Sequence, residues 1–68
     1  MLFKKRNTWA LDLPRETADL LLELCQALDI EVEDLGPGLA VTTVKVVLPE
    51  QKMLGLAAAF NVRPYKHA

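Results

Sequence analysis

Leu13-Pro14-Arg15-Glu16 and Leu48-Pro49-Glu50-Gln51 each stand between an apolar, extended run and a segment of helical spacing. The two prolines are 35 positions apart in a chain of 68, so a strand feeding a helix occurs twice. A half-length repeat of that kind predicts two packed halves of one small domain. Residues 1–7 read as a basic N-terminal tail, 8–66 as a single α+β domain and 67–68 as a C-terminal tail.

In the first half, Trp9, Leu11 and Leu13 alternate with Thr8, Ala10 and Asp12, the period-2 pattern of a half-buried strand. Pro14 suits a first helical position, and Glu16 is placed to reach back to the helix start. The spacing predicts a helix over 14–28, with Ala18, Leu21, Leu24, Cys25 and Leu28 as its core stripe. Glu16, Asp19 and Glu23 fall together on the opposite side as an acidic face. Ile30-Glu31-Val32-Glu33 alternates again as a second strand, and Gly36-Pro37-Gly38 breaks the chain. Leu39 to Leu48, rich in Val and Thr, reads as the longest strand. A hairpin centred near Pro37 sets Ile30 opposite Val44, Glu31 opposite Thr43, Val32 opposite Thr42 and Glu33 opposite Val41.

In the second half, Pro49 opens a helix whose stripe is Met53, Leu56, Ala57 and Phe60. Asn61 is a stop signal, and residues 62–65 read as a short edge strand, where proline is tolerated. The order strand, helix, strand, strand, helix, strand is the ferredoxin-like split βαβ pattern: one antiparallel sheet with two helices on one face. Right-handed crossovers put the first and third strands in its middle.

Several features bear on association. A domain of this length buries only ~60% of the surface its unfolded chain exposes, so disulfides, a metal or a partner usually add stability. Cys25 is the only cysteine and His67 the only histidine, so an internal disulfide is impossible and a Cys/His zinc site lacks ligands. No metal and no cofactor is expected. Met53 to Phe60 carries no polar side chain, although packing on a sheet needs one stripe. Leu54, Gly55, Ala58 and Ala59 lie off that stripe and are read as a partner contact, joined by Val41 and Val47 on the open sheet face; alanines that simply tolerate water are the alternative. A homo-oligomer, with a dimer favoured, or a protein partner is expected.

Charge is segregated. Residues 12 to 34 hold eight acids against Arg15, a net of −7, and the remainder carries +6. A solvated acidic face with basic tails is the plainer interpretation; self-complementary association, or docking on a basic partner, is the sharper one. The chain contains no serine, and a thiol on a core stripe is inert, so an enzyme is not expected. The predicted open sheet face has no aromatic platform for bases and Lys4-Lys5-Arg6 supplies few charges, so nucleic acid is not expected either. The longest run without a polar side chain is too short to span a bilayer, and a reducing, cytoplasmic setting suits the lone thiol.

Leu11-Asp12-Leu13-Pro14 before an apolar helix, then Leu28-Asp29-Ile30-Glu31-Val32-Glu33-Asp34, resembles the opening of ACT regulatory domains. The resemblance implies a ferredoxin-like fold, assembly through sheets or helices, and often amino-acid binding at the first turn, here Asp12, Leu13 and Arg15. Arg15 stands where the family carries a glycine that approaches the ligand. The expectation is therefore a non-enzymatic interaction or regulatory module, with a small-molecule sensor or an acidic decoy for a basic surface as alternatives.

Overall fold

Pro14 and Pro49 end two strands and begin two helices. The computed structural model describes residues 7–67, and the elements run β1 (Thr8–Leu13), α1 (Arg15–Ala27), β2 (Val32–Pro37), β3 (Thr42–Val47), α2 (Glu50–Ala59) and β4 (Tyr65–Lys66). The basic run Lys4-Lys5-Arg6 lies outside the described residues. Pro14 (φ −57°, ψ 151°) and Pro49 (φ −61°, ψ 151°) are the N-caps, one position earlier than the first-helical placement expected. Their carbonyls accept the first helical bonds, from Ala18 N at 2.8 Å and Met53 N at 2.9 Å. Neither cap has a side-chain hydrogen bond, so Glu16 does not reach back. A proline cap has no N–H for such a side chain to satisfy.

The helices also end alike. Asp29 (φ 61°) and Asn61 (φ 58°) sit in the left-handed region, which Asp and Asn tolerate better than most residues. Ile30 N donates to Cys25 O at 2.8 Å and Asp29 N to Gln26 O at 3.2 Å; Val62 N donates to Ala57 O at 3.1 Å and Asn61 N to Ala58 O at 3.0 Å. Both are complete Schellman endings, and Ile30 and Val62 pack against the core as such endings favour. Their amides are therefore committed to helix carbonyls. This explains why β2 begins at Val32 rather than Ile30. β4 is similarly delayed to Tyr65, because Pro64 has no donor for pairing.

The sheet order is β2-β3-β1-β4, antiparallel throughout, with β1 and β3 in the middle. The β2–β3 register differs from the expected one by four residues: Val32 faces Val46, Glu33 faces Lys45 and Asp34 faces Val44. Pro37 is not the turn. It ends β2 opposite Thr42, and the chain reverses over Gly38 to Val41, with Gly38 N donating to Val41 O at 2.6 Å. Leu39, expected in the third strand, is fully exposed at the tip. An irregularity between Asp34 and Pro37 admits one extra residue, and Gly36 there has φ +99°, a conformation side chains resist. An even shift leaves each side chain on its expected face, so the core alternation survives the error.

Trp9, Leu11 and Leu13 pair with Val46, Val44 and Thr42 beneath the helices, and all six are buried. From α1 the buried residues are Ala18, Leu21 and Cys25, with Leu22 half-buried beside them. Leu24 and Leu28, expected in that stripe, are instead exposed. The apolar arc of α1 is wider than a sheet can cover, and the helix seats its Leu21–Leu22 side. From α2, Met53 and Ala57 are buried and Leu56 and Phe60 pack partly on the core. Trp9 closes one end: its indole N–H donates to Leu48 O at 3.1 Å and Lys66 Nζ stands 5.1 Å from the ring centroid.

Cys25 is fully buried and free, and burial pushes its thiol pKa up, away from reactivity. A thiol reagent should label it slowly in native buffer and rapidly in denaturant, and Cys25→Ala should cost about 1–2 kcal/mol in a denaturant melt. Fast native labelling would contradict the packing described.

Candidate functional site

The sheet face away from the helices carries Thr8, Ala10 and Asp12 from β1, opposite Val47, Lys45 and Thr43 from β3. Asp12 Oδ1 accepts from Thr43 Oγ1 at 2.7 Å and from Tyr65 OH at 3.0 Å, tying three strands together. The bond to Asp12 raises the Tyr65 pKa, helped by partial desolvation, because an ionised phenol would lose its donor and face a carboxylate. Lys45 Nζ pairs with Glu33 Oε1 at 2.9 Å. Two expectations for this face need correction. Ala10 is wholly buried, its methyl sheltered between its cross-strand neighbours Lys45 and Tyr65. Tyr65 gives the face an aromatic ring, 45% exposed, although its hydroxyl is engaged. His67 is not a loose tail, since its amide donates to Thr8 O at 3.0 Å.

Asp12, Leu13 and Arg15 do not converge on one point. Asp12 is on the open face, Leu13 points into the core, and Arg15 begins α1. Arg15 Nη2 pairs with Asp19 one turn along and with Asp34 Oδ2 of β2 at 2.9 Å. Its guanidinium pKa is raised by hydrogen bonds to Asp19 first and Asp34 second. Asp34 is held below the usual carboxylate range, first by the Gly36 amide at 2.8 Å and then by Arg15. Arg15 also lines a depression of about 270 Å³ with Pro37, Gly38, Leu39, Ala40, Val41 and Thr42. This hollow is shallow and open, unlike the concave sites that enclose small ligands.

The six residues expected at an interface fall into separate places. Leu54, Gly55, Ala58 and Ala59 are exposed together on the outer side of α2 as two rows spaced by four. Val47 is on the open sheet face, and Val41 lies at the other end of the same strand, in the turn. The acidic face is also divided. Asp19 is neutralised by Arg15, whereas no hydrogen bond or ion pair among the described residues engages Glu16 or Glu23. Sequence reasoning overlooked the exposed row Leu20, Leu24 and Leu28 on α1; their spacing of four was the available signal.

Among the described residues no group of three or more His, Cys, Asp or Glu could hold a metal ion, and no helix is long and apolar enough to cross a membrane. No protein-family model matches the chain, nor does any curated protein or any solved structure.

Asp34 is the acid whose titration reports the Arg15 contact. Its folded pKa lies below its unfolded value, so the contribution to stability is complete above the unfolded pKa and lost as pH falls through the folded one. In Arg15→Ala, carboxyl NMR should show the Asp34 pKa rising part of the way to normal, since the Gly36 amide remains. An unchanged titration would mean that Arg15 does not hold Asp34 in solution.

Proposed function

We propose that this chain is a non-enzymatic interaction module with a ferredoxin-like split βαβ topology, working as a homo-oligomer, a dimer by preference, or as a small subunit of a larger complex. The strand order β2-β3-β1-β4 with one core cluster shared by both helices supports the topology. The observation that carries the functional reading is the outer side of α2. Leu54 is 51% exposed, and Gly55, Ala58 and Ala59 beside it are exposed and small enough for another backbone to come close. From Met53 onward α2 is apolar on every side, and such a stretch is ordinarily covered on every side.

The chemically able groups argue in the same direction. Asp12 accepts two hydroxyl donors, Arg15 is held by two carboxylates, and Cys25 is buried with a raised pKa. The ACT-like alternative, an amino-acid sensor at Asp12, Leu13 and Arg15, has only the shallow depression beside Arg15, which neither Asp12 nor Leu13 lines. It is the weaker reading, because a ligand carboxylate would have to displace Asp19 or Asp34. A reducing, cytoplasmic setting suits the module, whose one thiol is free.

Two substitutions on α2 test the assembly. A Cβ built at Gly55 meets nothing within 4 Å in the subunit, so Gly55→Ala should stabilise an isolated subunit by about 1 kcal/mol through helix propensity. If another backbone approaches there, the same change weakens association. Ala58→Glu should keep the circular dichroism of the native chain and lower its mass in light scattering. A native mass of one chain, unchanged on tenfold concentration, would remove self-association and leave the hetero-complex form of the proposal.

A further inference from the structure

The outer surface of α1 differs from that of α2 in both shape and charge. Leu20, Leu24 and Leu28 follow one another at intervals of four, 60%, 37% and 58% exposed, so they form one continuous row along the helix. The fold does not use them, since Ala18, Leu21 and Cys25 already fill the contact with the sheet. Arg15 reaches Asp34, which turns that flank of α1 toward the edge strand β2. At 100° per residue the leucine row lies on the far flank, where β2 cannot cover it. Glu16 stands one turn before Leu20 and Glu23 one turn after it, so both carboxylates border the row at Leu20. No basic residue lies in the last turn of α1, and Asp29 follows it directly, so no base of the helix offsets the two carboxylates or the negative helix end.

We infer that this surface is a docking site for a basic amphipathic helix of a partner protein, with apolar residues at i and i+4 on the leucine row and Lys or Arg beside Glu16 and Glu23. A second copy is a poor occupant. Pairing α1 with α1 in antiparallel fashion about Leu24 brings no base to Glu16 or Glu23, since Arg15 is the only base of the helix and lies on its other flank, and parallel pairing sets each acid on itself. The α2 surface of another copy offers one base, Lys52, for the two carboxylates. A contact of α1 on α2 is also head-to-tail and would extend into open chains unless it closed a ring. A helix carrying several bases complements both the leucines and the carboxylates. This inference concerns α1 and stands apart from self-association through α2.

The test uses the full chain and a synthetic Leu/Ala/Lys peptide ~14 residues long, short enough to be marginally helical alone and long enough to span α1 when bound. A control peptide has the same composition with leucines and lysines permuted so that no apolar face forms. Fluorescence anisotropy at physiological salt should show the amphipathic peptide binding at least tenfold tighter than the control. The exposed-site variants Leu20→Ala with Leu28→Ala, and separately Glu16→Lys with Glu23→Lys, should each weaken it about tenfold while circular dichroism stays native. Ala58→Glu should leave it unchanged, which separates this site from the α2 surface. Equal binding of both peptides would reduce the effect to bulk charge attraction and overturn the proposal, as would no binding at 100-fold the expected micromolar range. A fall in the chain's own mass on Leu20→Ala would also overturn it, giving the row to a second copy.

Discussion

The antiparallel ladder between β1 and β3 is the contact on which the remainder of the molecule depends. It runs without interruption from Thr8 opposite Val47 to Leu13 opposite Thr42, and it joins the two sequence repeats strand to strand. Each repeat contributes one central strand and one edge strand, so neither half has a sheet without the other. The ladder also decides the faces. Because side chains alternate, Trp9, Leu11 and Leu13 are brought level with Val46, Val44 and Thr42, and only that side can receive the helices.

Trp9 shows how one side chain on this ladder coordinates several elements. Its indole N–H holds the carbonyl of Leu48, the residue before the Pro49 cap, and so fixes where α2 begins. Lys66 over its ring gives the short strand β4 a second attachment to β1. The opposite face supplies a third, where Tyr65 and Thr43 share the Asp12 carboxylate. Two residues of β4 would make a feeble strand by backbone pairing alone. Side-chain contacts on both faces compensate for its length.

The sequence exposed those parts of the fold that depend on local rules. The two Leu-Pro steps and the alternating runs around Trp9 and Val44 were legible because a cap and a pleat are written within a few residues. The limits of the reading have physical causes. Pro37 resembled a turn centre, but Gly36 at φ +99° lets β2 pass through a bulge and pair once more at Pro37. Ile30 and Val62 had the character of strand residues, yet their amides were already committed to Cys25 and Ala57 carbonyls. Leu24 and Leu28 could not be excluded from the core by periodicity, because Leu20 through Leu28 is apolar over more than half the helix circumference. Which part of that arc faces the sheet is a tertiary choice. The candidate surfaces followed suit: the α2 residues were visible as an excess of apolar positions, while Leu24 and Leu28 of the α1 row were hidden inside an over-wide core prediction that left Leu20 unassigned.

That excess is the main physical argument about function. A chain of this size has little interior, and every leucine left outside weakens its solubility without adding to its core. Both helices nevertheless carry more apolar surface than the sheet can cover, and they border it differently. On α2 the surplus is small and nearly uncharged, made of Gly55, Ala58, Ala59 and Leu54, which favours close approach of a backbone. On α1 it is a row of three large leucines beside Glu16 and Glu23, which no hydrogen bond or ion pair engages among the described residues. A surface of small neutral residues and one of bulky residues fringed with negative charge select different occupants by shape and by electrostatics. Under the two proposals made above, α2 would meet an identical subunit and α1 a basic helix, and two surfaces so different would be occupied at once without competing for the same partner.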